Sequence, residues 1–337
     1  MLLNFSIIIP VYNRPDEVRE LFQSLARQQY DKPFEVVLVE DGSSLTSEKV
    51  VDEFKHVLEI AYLFKPNSGP GDSRNQGMIK AGGNYFLILD SDCVLPPSYL
   101  NHVENALSED YVDCFGGPDT ADTSFTVLQR AINYSMTSFL TTGGIRGHKN
   151  AATSFQPRSF NMGLSKKAFA ASGGFGNIHP GEDPDLSLRL KQMGYDIRLI
   201  PEAFVYHKRR ISFRSFANQV YKFGLARPIL NKWHKKSSRL TFWFPTFFTL
   251  GLLFAMVLIF IPWYWPIGAF GVYFFLILID AWVKTRSLGI GLLALPAVMI
   301  QFAGYGFGFL KSIILINFSK KKPRELFPKL FFEPTKT

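Results

Sequence analysis

The sequence predicts an α/β domain with a mostly parallel sheet, followed by helices that cross a membrane. Strand and helix signals alternate through residues 1–115, which is the pattern of a parallel sheet covered by helices on both faces. Residues 240–279 contain no charged side chain, and about 20 apolar residues are enough to cross the hydrocarbon of a bilayer. Because 47% of the 337 residues are hydrophobic, a disordered chain is excluded.

Each predicted strand of the α/β part is a short apolar run that is followed by polar residues. The strands are expected at residues 5–9, 34–39, 60–64 and 85–89. The spacing of apolar residues predicts helices at residues 17–29, 47–56 and 69–81. In sheets of this kind, ligands bind outside the carboxyl ends of the strands. We therefore expect one crevice, surrounded by the polar residues at 12–14, 40–41, 67–75 and 90–92.

The chain between this crevice and the apolar part is less regular. Residues 125–159 are polar and weakly periodic, and we expect a flexible insert or lid there. A helix is predicted at residues 181–193, and short strands are predicted at residues 197–200 and 203–206. Residues 213–229 form a basic amphipathic pattern that is typical of helices lying in a membrane interface.

Three apolar segments follow, at residues 240–262, 265–283 and 288–316. The first two are predicted to be membrane spans joined by a Trp-rich turn. The third has positive charge on both flanks, so it either crosses fully or enters and returns, and both alternatives stay open. The predicted division of the chain is a catalytic domain at 1–210, an interfacial helix and linker at 211–239, a membrane region at 240–316 and a basic tail at 317–337.

Charge is unevenly distributed along the chain. Residues 1–205 carry a net charge of −7, whereas residues 206–239 carry +10 and no acidic residue. A basic stretch beside an apolar segment is attracted to anionic lipid on the cytoplasmic face, although a merely solvated helix face is the alternative. Nucleic acid is not expected as a partner. The apolar stretch at residues 7–9 is too short for a signal peptide, so we expect a catalytic domain in the cytoplasm at the inner membrane.

The pair Asp90 and Asp92 directly follows an apolar strand. Two carboxylates one residue apart can hold Mg²⁺ or Mn²⁺ against a diphosphate, because these cations prefer oxygen ligands and accept phosphates into their shell. An isolated pair of this kind is more often an ordinary surface loop. Its position at the end of the fourth strand favours the metal site. Cys93 and Cys114 have neither metal-site nor redox spacing.

Four motifs in this order resemble those of family 2 glycosyltransferases, which have the GT-A fold. They are FSIIIPVYNR at residues 5–14, VEDGS at 39–43, GPGDSRNQG at 69–77 and LILDSD at 87–92. The resemblance covers residues 4–230, and the apolar part is similar to that of membrane-anchored bacterial members. It implies a Rossmann-like, mostly parallel sheet and an enzyme that transfers a hexosyl or related sugar.

The resemblance also implies roles for individual residues. The nucleotide-sugar site would contain Pro10, Tyr12, Asn13, Asp41, Gly69, Gly71, Arg74, Asn75, Asp90 and Ser91. Within that set, Asp41 would accept a hydrogen bond from a uracil-type base, so a UDP-sugar is the expected donor. The glycines and Arg74 would approach the phosphates, which free N–H groups at a helix start also favour. Asp90 and Asp92 would bind the metal, and His207 would reach the metal or the diphosphate unless it is merely structural.

A second carboxylate cluster, at residues 181–185, resembles the Glu-Asp motif that supplies the catalytic base. A sugar hydroxyl is a poor nucleophile, so a positioned carboxylate must remove its proton. We expect Asp183 to be this base, with Glu182 as the second choice. Asp185 is better explained as a favourable charge in the first turn of a helix.

Gln219, Lys222 and Phe223 are similar to the Gln-x-x-Arg-Trp motif of membrane synthases and are expected at the acceptor interface. Lys and Phe replace Arg and Trp, which argues against processive synthesis. We therefore expect an inverting, metal-dependent transfer of one sugar to a lipid-linked saccharide, in cell-envelope polysaccharide or glycolipid synthesis. The alternatives are a processive polysaccharide synthase and a catalytically inactive membrane scaffold.

Overall fold

A computed structural model describes residues 2–120, 125–142, 155–207 and 212–333. The described residues form two compact units. We call residues 2–120, 155–207 and 331–333 the sheet unit, and residues 125–142 and 212–330 the helical unit. Two features of this division were not predicted from the sequence. Residues 125–142 fall in the helical unit, and residues 331–333 fall in the sheet unit.

The strands all belong to the sheet unit. They are β1 (Phe5–Val11), β2 (Glu35–Asp41), β3 (Glu59–Lys65), β4 (Tyr85–Leu89), β5 (Cys93–Val94), β6 (Cys114–Gly116), β7 (Asp119–Thr120), β8 (Asn161–Ser165), β9 (Ile197–Leu199) and β10 (Val205–His207). Seven of them form a sheet in the order β3-β2-β1-β4-β8-β6-β9, in which only β8 is antiparallel to its neighbours. A small sheet has the order β5-β10-β7. The predicted α/β class with a mostly parallel sheet is confirmed.

The helices are divided between the two units. They are α1 (Pro15–Leu25), α2 (Glu48–Phe54), α3 (Pro70–Lys80), α4 (Tyr99–Glu109), α5 (Val127–Thr137), α6 (Phe139–Thr142), α7 (Lys166–Ser172), α8 (Glu182–Gln192), α9 (Phe213–Trp233), α10 (Phe244–Leu258), α11 (Trp265–Thr285), α12 (Leu288–Phe318) and α13 (Pro323–Leu326). Apolar cores lie on both faces of the large sheet. One core is built around Phe22 and Leu100, and the other around Phe86 and Leu186.

Part of the expected flexible insert is helical. Thr126 accepts a hydrogen bond from the backbone N–H of Gln129, and the Gln129 side chain bonds back to Thr126, so α5 begins with a capping box. Ile132 of α5 packs with Phe216 and Ala297 in a buried cluster of the helical unit. The weak periodicity concealed this helix because its buried positions include polar residues. Residues 143–154 lie outside the described part of the chain.

Three helices of the helical unit are long and apolar enough to cross a membrane, at Leu240–Leu258, Trp265–Thr285 and Leu288–Phe318. The third is one continuous helix through Pro296. Hence, within the described residues, the third segment contains no break at which it could turn back. The basic residues at 208–210 lie outside the described part of the chain.

Candidate active site

The parallel register of the large sheet brings the carboxyl ends of three strands together. β1 pairs with β2 on one side and with β4 on the other, so residues that follow these strands meet at one edge. Tyr12, Asp41 and Asp90 are thereby brought to the same crevice, as the alternating pattern predicted. Tyr12 is 52% exposed, which leaves its ring open to a ligand, whereas Ser91 is buried.

Arg74 connects the two predicted carboxylate clusters. It lies on α3 and is 3% exposed. Its guanidinium donates to Asp90 Oδ1 at 2.7 Å and to Glu182 Oε1 at 3.2 Å. Burial acts to lower the pKa of Arg74, but the negative charges of Asp90 and Glu182 outweigh it and raise that pKa. Arg74 therefore stays positively charged in the crevice.

Glu182 is held firmly as a carboxylate. Its Oε1 lies 2.8 Å from His179 Nδ1, in addition to the bond from Arg74. Burial alone would raise the pKa of Glu182, but the charge and hydrogen bond of His179 and the charge of Arg74 lower it. A carboxylate stabilised in this way is a weak base, because its conjugate acid is strong.

The pKa of Asp183 is shifted in the opposite direction to that of Glu182. Burial and the negative charge of Glu182 raise the pKa of Asp183 to about 6. Its Oδ1 is buried and has no hydrogen-bond partner among the described residues. Leaving such an oxygen unsatisfied costs roughly 1–3 kcal/mol, and two neighbouring carboxyls with separated pKa values are typical of acid–base sites. The two adjacent carboxyls therefore differ in their electrostatics, and the roles of Asp183 and Glu182 as the base stay predictions.

A possible metal site lies beside Asp90. His207 on β10 is paired across the strand with Cys93 on β5, which brings His207 Nε2 to 3.1 Å from Asp92 Oδ1. Ligand atoms of Asp92, Cys93 and His207 lie within 4.8 Å of one another. A carboxylate and an imidazole can bind a divalent cation, so Asp92 and His207 fit a metal. Burial raises the pKa of the Cys93 thiol well above its ordinary value, so Cys93 stays protonated and is a poor ligand. Asp90 is not in this group.

Asp41 binds a loop of its own chain. Asp41 Oδ1 accepts hydrogen bonds from Ser68 N at 2.9 Å and from Lys65 Nζ. Asp41 Oδ2 accepts hydrogen bonds from Gly69 N at 3.0 Å and from the Asn67 side chain at 3.3 Å. A carboxylate offers about four lone-pair positions, and these donors fill them. Recognition of a uracil-type base by Asp41 stays a prediction, and it now requires one of these bonds to be released.

The glycine-rich loop packs against other segments of the sheet unit. Gly69 has φ +89° and lies against the ring of Phe332, while a Cβ on Gly71 would lie 2.6 Å from the carbonyl oxygen of Gly176. The Asn75 side chain donates to Phe175 O at 2.9 Å and accepts from Phe175 N at 2.8 Å. These residues therefore hold the segment before α8 in place, and their contact with phosphates stays a prediction.

The first motif also has an internal role. Asn13 has φ +55°, and its side-chain oxygen accepts from the backbone N–H groups of Ser44 and Leu45 at 2.8 and 2.9 Å. Pro10 lies within β1, opposite Val39. Asn13 thus shapes the loop after β2, and binding of base and ribose at Pro10, Tyr12 and Asn13 stays a prediction.

The residues expected at the acceptor interface lie in the helical unit. Gln219, Lys222 and Phe223 are on α9, and Phe223 packs against the cluster that contains Phe216 and Val220. Their role toward an acceptor stays a prediction.

Sequence reasoning missed three residues of this site. His179 bonds Glu182, Cys93 lies beside Asp92 and His207, and Phe332 packs on Gly69. Cys93 directly follows the predicted pair of aspartates, so its position could have been noticed. Nothing in the sequence signals Phe332, because it lies far along the chain from its neighbours.

Residues 6–170 match the sequence model of the family described as Glycosyl transferase family 2. Among curated proteins, the poly(ribitol-phosphate) beta-N-acetylglucosaminyltransferase TarS of Staphylococcus aureus is 32% identical over 115 residues, which are 33% of this chain and 20% of that protein. Chondroitin synthase of Escherichia coli is 26% identical over 235 residues, 60% of this chain and 34% of that protein. The chain thus spans at most about a third of these relatives.

Solved structures show the same fold. TarS of Staphylococcus aureus, residues 1–349 in complex with UDP-GlcNAc, is similar with a TM-score of 0.50 and 19% identity, covering 93% of this chain and 92% of that one. The mannosyltransferase PcManGT of Pyrobaculum calidifontis, in complex with GDP-Man and Mn²⁺, has a TM-score of 0.56 and 14% identity, covering 95% and 89%. At such identities the likeness establishes the fold alone.

Proposed function

Because residues 6–170 of the chain form a glycosyl transferase family 2 domain, we propose that the protein transfers one sugar from a nucleotide sugar to an acceptor hydroxyl, with inversion at the anomeric carbon. The observation that carries this proposal is the contrast between two adjacent carboxyls. Glu182 is neutralised by Arg74 and His179, whereas Asp183 has a raised pKa and a buried oxygen that no hydrogen-bond donor of the described residues reaches.

In the proposed reaction, the acceptor hydroxyl oxygen forms a bond to the anomeric carbon. The bond between that carbon and the diphosphate oxygen breaks, and its electron pair leaves with the nucleoside diphosphate. Asp183 accepts the hydroxyl proton as the new bond forms. A pKa of about 6 keeps Asp183 largely ionised at neutral pH while making it a stronger base than an ordinary aspartate.

A divalent cation would be held by Asp92 and His207, with Cys93 beside them. When bound, it would neutralise charge on the leaving diphosphate. An imidazole ligand suits Mn²⁺ better than Mg²⁺, which prefers oxygen ligands and retains its waters. We therefore propose Mn²⁺ as the better cofactor. Its presence in the Pyrobaculum mannosyltransferase structure supports this choice.

We propose a UDP-sugar as the donor. TarS, which is named as an N-acetylglucosaminyltransferase and whose structure holds UDP-GlcNAc, supports this class of donor. Tyr12 is the exposed ring at the carboxyl end of β1, and an aromatic face of this kind can stack on a nucleotide base.

We propose that the acceptor is a lipid-linked saccharide at the cytoplasmic face of the inner membrane. The three apolar helices and the exposed residues Lys232, Lys235, Lys236 and Arg239 just before them support this location. The name of TarS refers to a poly(ribitol-phosphate) polymer and that of chondroitin synthase to a polysaccharide, which supports a role in cell-envelope polysaccharide or glycolipid synthesis.

The connectivity of the chain limits how many of the three helices cross. Residues 331–333 belong to the sheet unit, as do residues 2–120. After the apolar helices the chain must therefore return to the side of the membrane from which it left. An odd number of crossings would separate the two ends. We therefore propose that α10 and α11 cross as a pair, with the aromatic turn at Trp263 and Trp265 on the far side. α12, which is one continuous helix, would then lie along the catalytic side without crossing.

A panel of nucleotide sugars tests the proposed function. Detergent-solubilised protein is incubated with UDP-GlcNAc, UDP-glucose, UDP-galactose or GDP-mannose, together with Mn²⁺ and membrane lipid extract. We expect one UDP-sugar to give both free UDP and a labelled lipid product. A ladder of long products would instead indicate a processive synthase. Absence of UDP and of GDP release with every donor would favour an inactive scaffold.

A further inference from the structure

The described end of the chain is built into the sheet unit. Phe331 pairs with Ile178 in an antiparallel bridge, and the backbone N–H of Phe332 donates to Asn177 O at 3.0 Å. Residues 331 and 332 thereby add a short strand-like segment alongside the stretch that leads into His179 and α8. Glu182 and Asp183 are the first two residues of α8.

The side chain of Phe332 lies between the two halves of the candidate active site. On one side its ring covers Gly69, where a Cβ would approach the ring to 2.4 Å. On the other side its centroid lies 6.2 Å from that of His179. Gly69 N binds Asp41, and His179 binds Glu182. One ring thus touches both the glycine-rich loop and the group that holds Glu182.

Phe332 is not required by the apolar cores of the sheet unit. Neither core cluster contains Phe331 or Phe332, and both residues are only half-buried. Removing a half-buried ring at the periphery leaves less of a cavity than removing a core side chain. The apolar cores therefore do not account for this docking.

We propose that Phe332 is a positioning residue of the transferase, an inference that rests on the proposed function. Its ring fixes His179 against Glu182 and fixes the Gly69 loop opposite them. Asp183, the next residue after Glu182, is thereby held at a set distance from the donor. A base must lie within hydrogen-bond reach of the proton it removes, so loosening this contact reduces the rate of transfer.

The first test is the Phe332→Ala variant in the full-length protein. We expect kcat for transfer to fall about 10- to 100-fold, the scale of a small misplacement of a reacting group, while the donor KM and the Tm change little. Phe332→Tyr keeps the ring and should restore most of kcat. Phe318→Ala is the matched control, because Phe318 is 88% exposed in the helical unit.

Two results of this test would overturn the proposal. If the kcat of Phe332→Ala equals that of the wild type, the ring does not position His179 or the Gly69 loop. A fall in kcat that follows a comparable loss of Tm, and that Phe332→Tyr does not rescue, would mean that the ring only supports the fold.

A disulfide tests the docking independently of any activity. Bridge partners in antiparallel strands have Cα atoms about 4.5–5.5 Å apart, which suits a disulfide. The double variant Ile178→Cys/Phe331→Cys should therefore cross-link under mild oxidation, while either single variant should not. The natural Cys93 and Cys114 are buried.

The cross-linked protein then decides between positioning and blocking. If the segment positions the site, the oxidised protein keeps the transfer rate of its reduced form. If the oxidised protein is inactive and a reductant restores its activity, the segment must leave the site during turnover, which would overturn the proposal. Failure of the double variant to cross-link would also overturn it. If wild-type protein transfers no sugar at all, the proposed function fails, yet the cross-linking yield still reports whether the segment docks.

Discussion

Asp183→Asn should abolish transfer and at the same time stabilise the protein. Asparagine has nearly the same shape as aspartate but cannot accept the hydroxyl proton. Loss of a general base reduces a rate by about 10²–10⁴. Donor binding should be spared, because the base acts on the acceptor. The fall should therefore appear in kcat, with the donor KM unchanged.

The stabilisation follows from the pKa of Asp183. Its rise from 3.8 to about 6 means that keeping the charged form in the folded state costs on the order of 3 kcal/mol near neutral pH. A raised aspartate pKa destabilises the folded state progressively as pH rises from the unfolded pKa through the folded one. Asp183→Asn removes this cost, so its Tm should exceed that of the wild type at pH 7.5 and approach it near pH 4.

The assay measures transfer of labelled sugar at saturating donor, together with Tm in the same detergent. Asp185→Asn is the matched control, since Asp185 lies in the same helical turn but pairs with Arg189. It should lose stability and keep most of kcat. A variant at position 183 with unchanged kcat would refute the assignment of the base. A variant that is inactive only because its Tm has fallen would refute the electrostatic argument.

Three further predictions concern the metal, pH and the basic residues before α10. Asp92→Asn should raise the Mn²⁺ concentration needed for half-maximal transfer by about tenfold or more, because it removes the carboxylate that faces His207 in the proposed metal site; an unchanged metal titration would contradict this site. The wild-type kcat should rise with pH through about 6, as Asp183 becomes ionised, and a flat profile between pH 5 and 7 would exclude it as the base. A variant with Gln in place of four basic residues should stay in the membrane; the four are Lys232, Lys235, Lys236 and Arg239. Its transfer to a lipid-linked acceptor should fall more than its hydrolysis of the donor, since each basic residue can contribute about 1 kcal/mol of attraction to anionic lipid. Equal loss of both reactions would assign these residues to the fold.

The strands that carry the site could be predicted because their apolar runs are local signals. β4 was predicted at residues 85–89 and is found at Tyr85–Leu89. β8, in contrast, has the sequence NMGLS, which contains no apolar run. It is a strand because it pairs with β4 and β6. Such long-range pairing cannot be predicted from the five residues of the strand alone. α4 was missed although Leu100, Val103 and Leu107 have helical spacing.

The residues of the site could be predicted better than their contacts. Asp183 and Glu182 were ranked on motif resemblance, whereas the pairing of Glu182 with Arg74 and His179 is seen only in the structure. The four donors on the Asp41 carboxylate come from the end of β3 and the loop after it, some 25 residues away, so the sequence could not show that its lone pairs are already used. Phe332 joins the site only through tertiary structure.

The anomeric configuration of the product tests the central claim most directly. The wild-type protein is given a UDP-α-sugar and its acceptor, and the anomeric proton of the first product is observed by NMR before any mutarotation. Direct displacement assisted by Asp183 predicts a β-linked product. An α-linked product would contradict the account. Retention of the anomeric configuration cannot result from a direct displacement in which Asp183 acts as a single base.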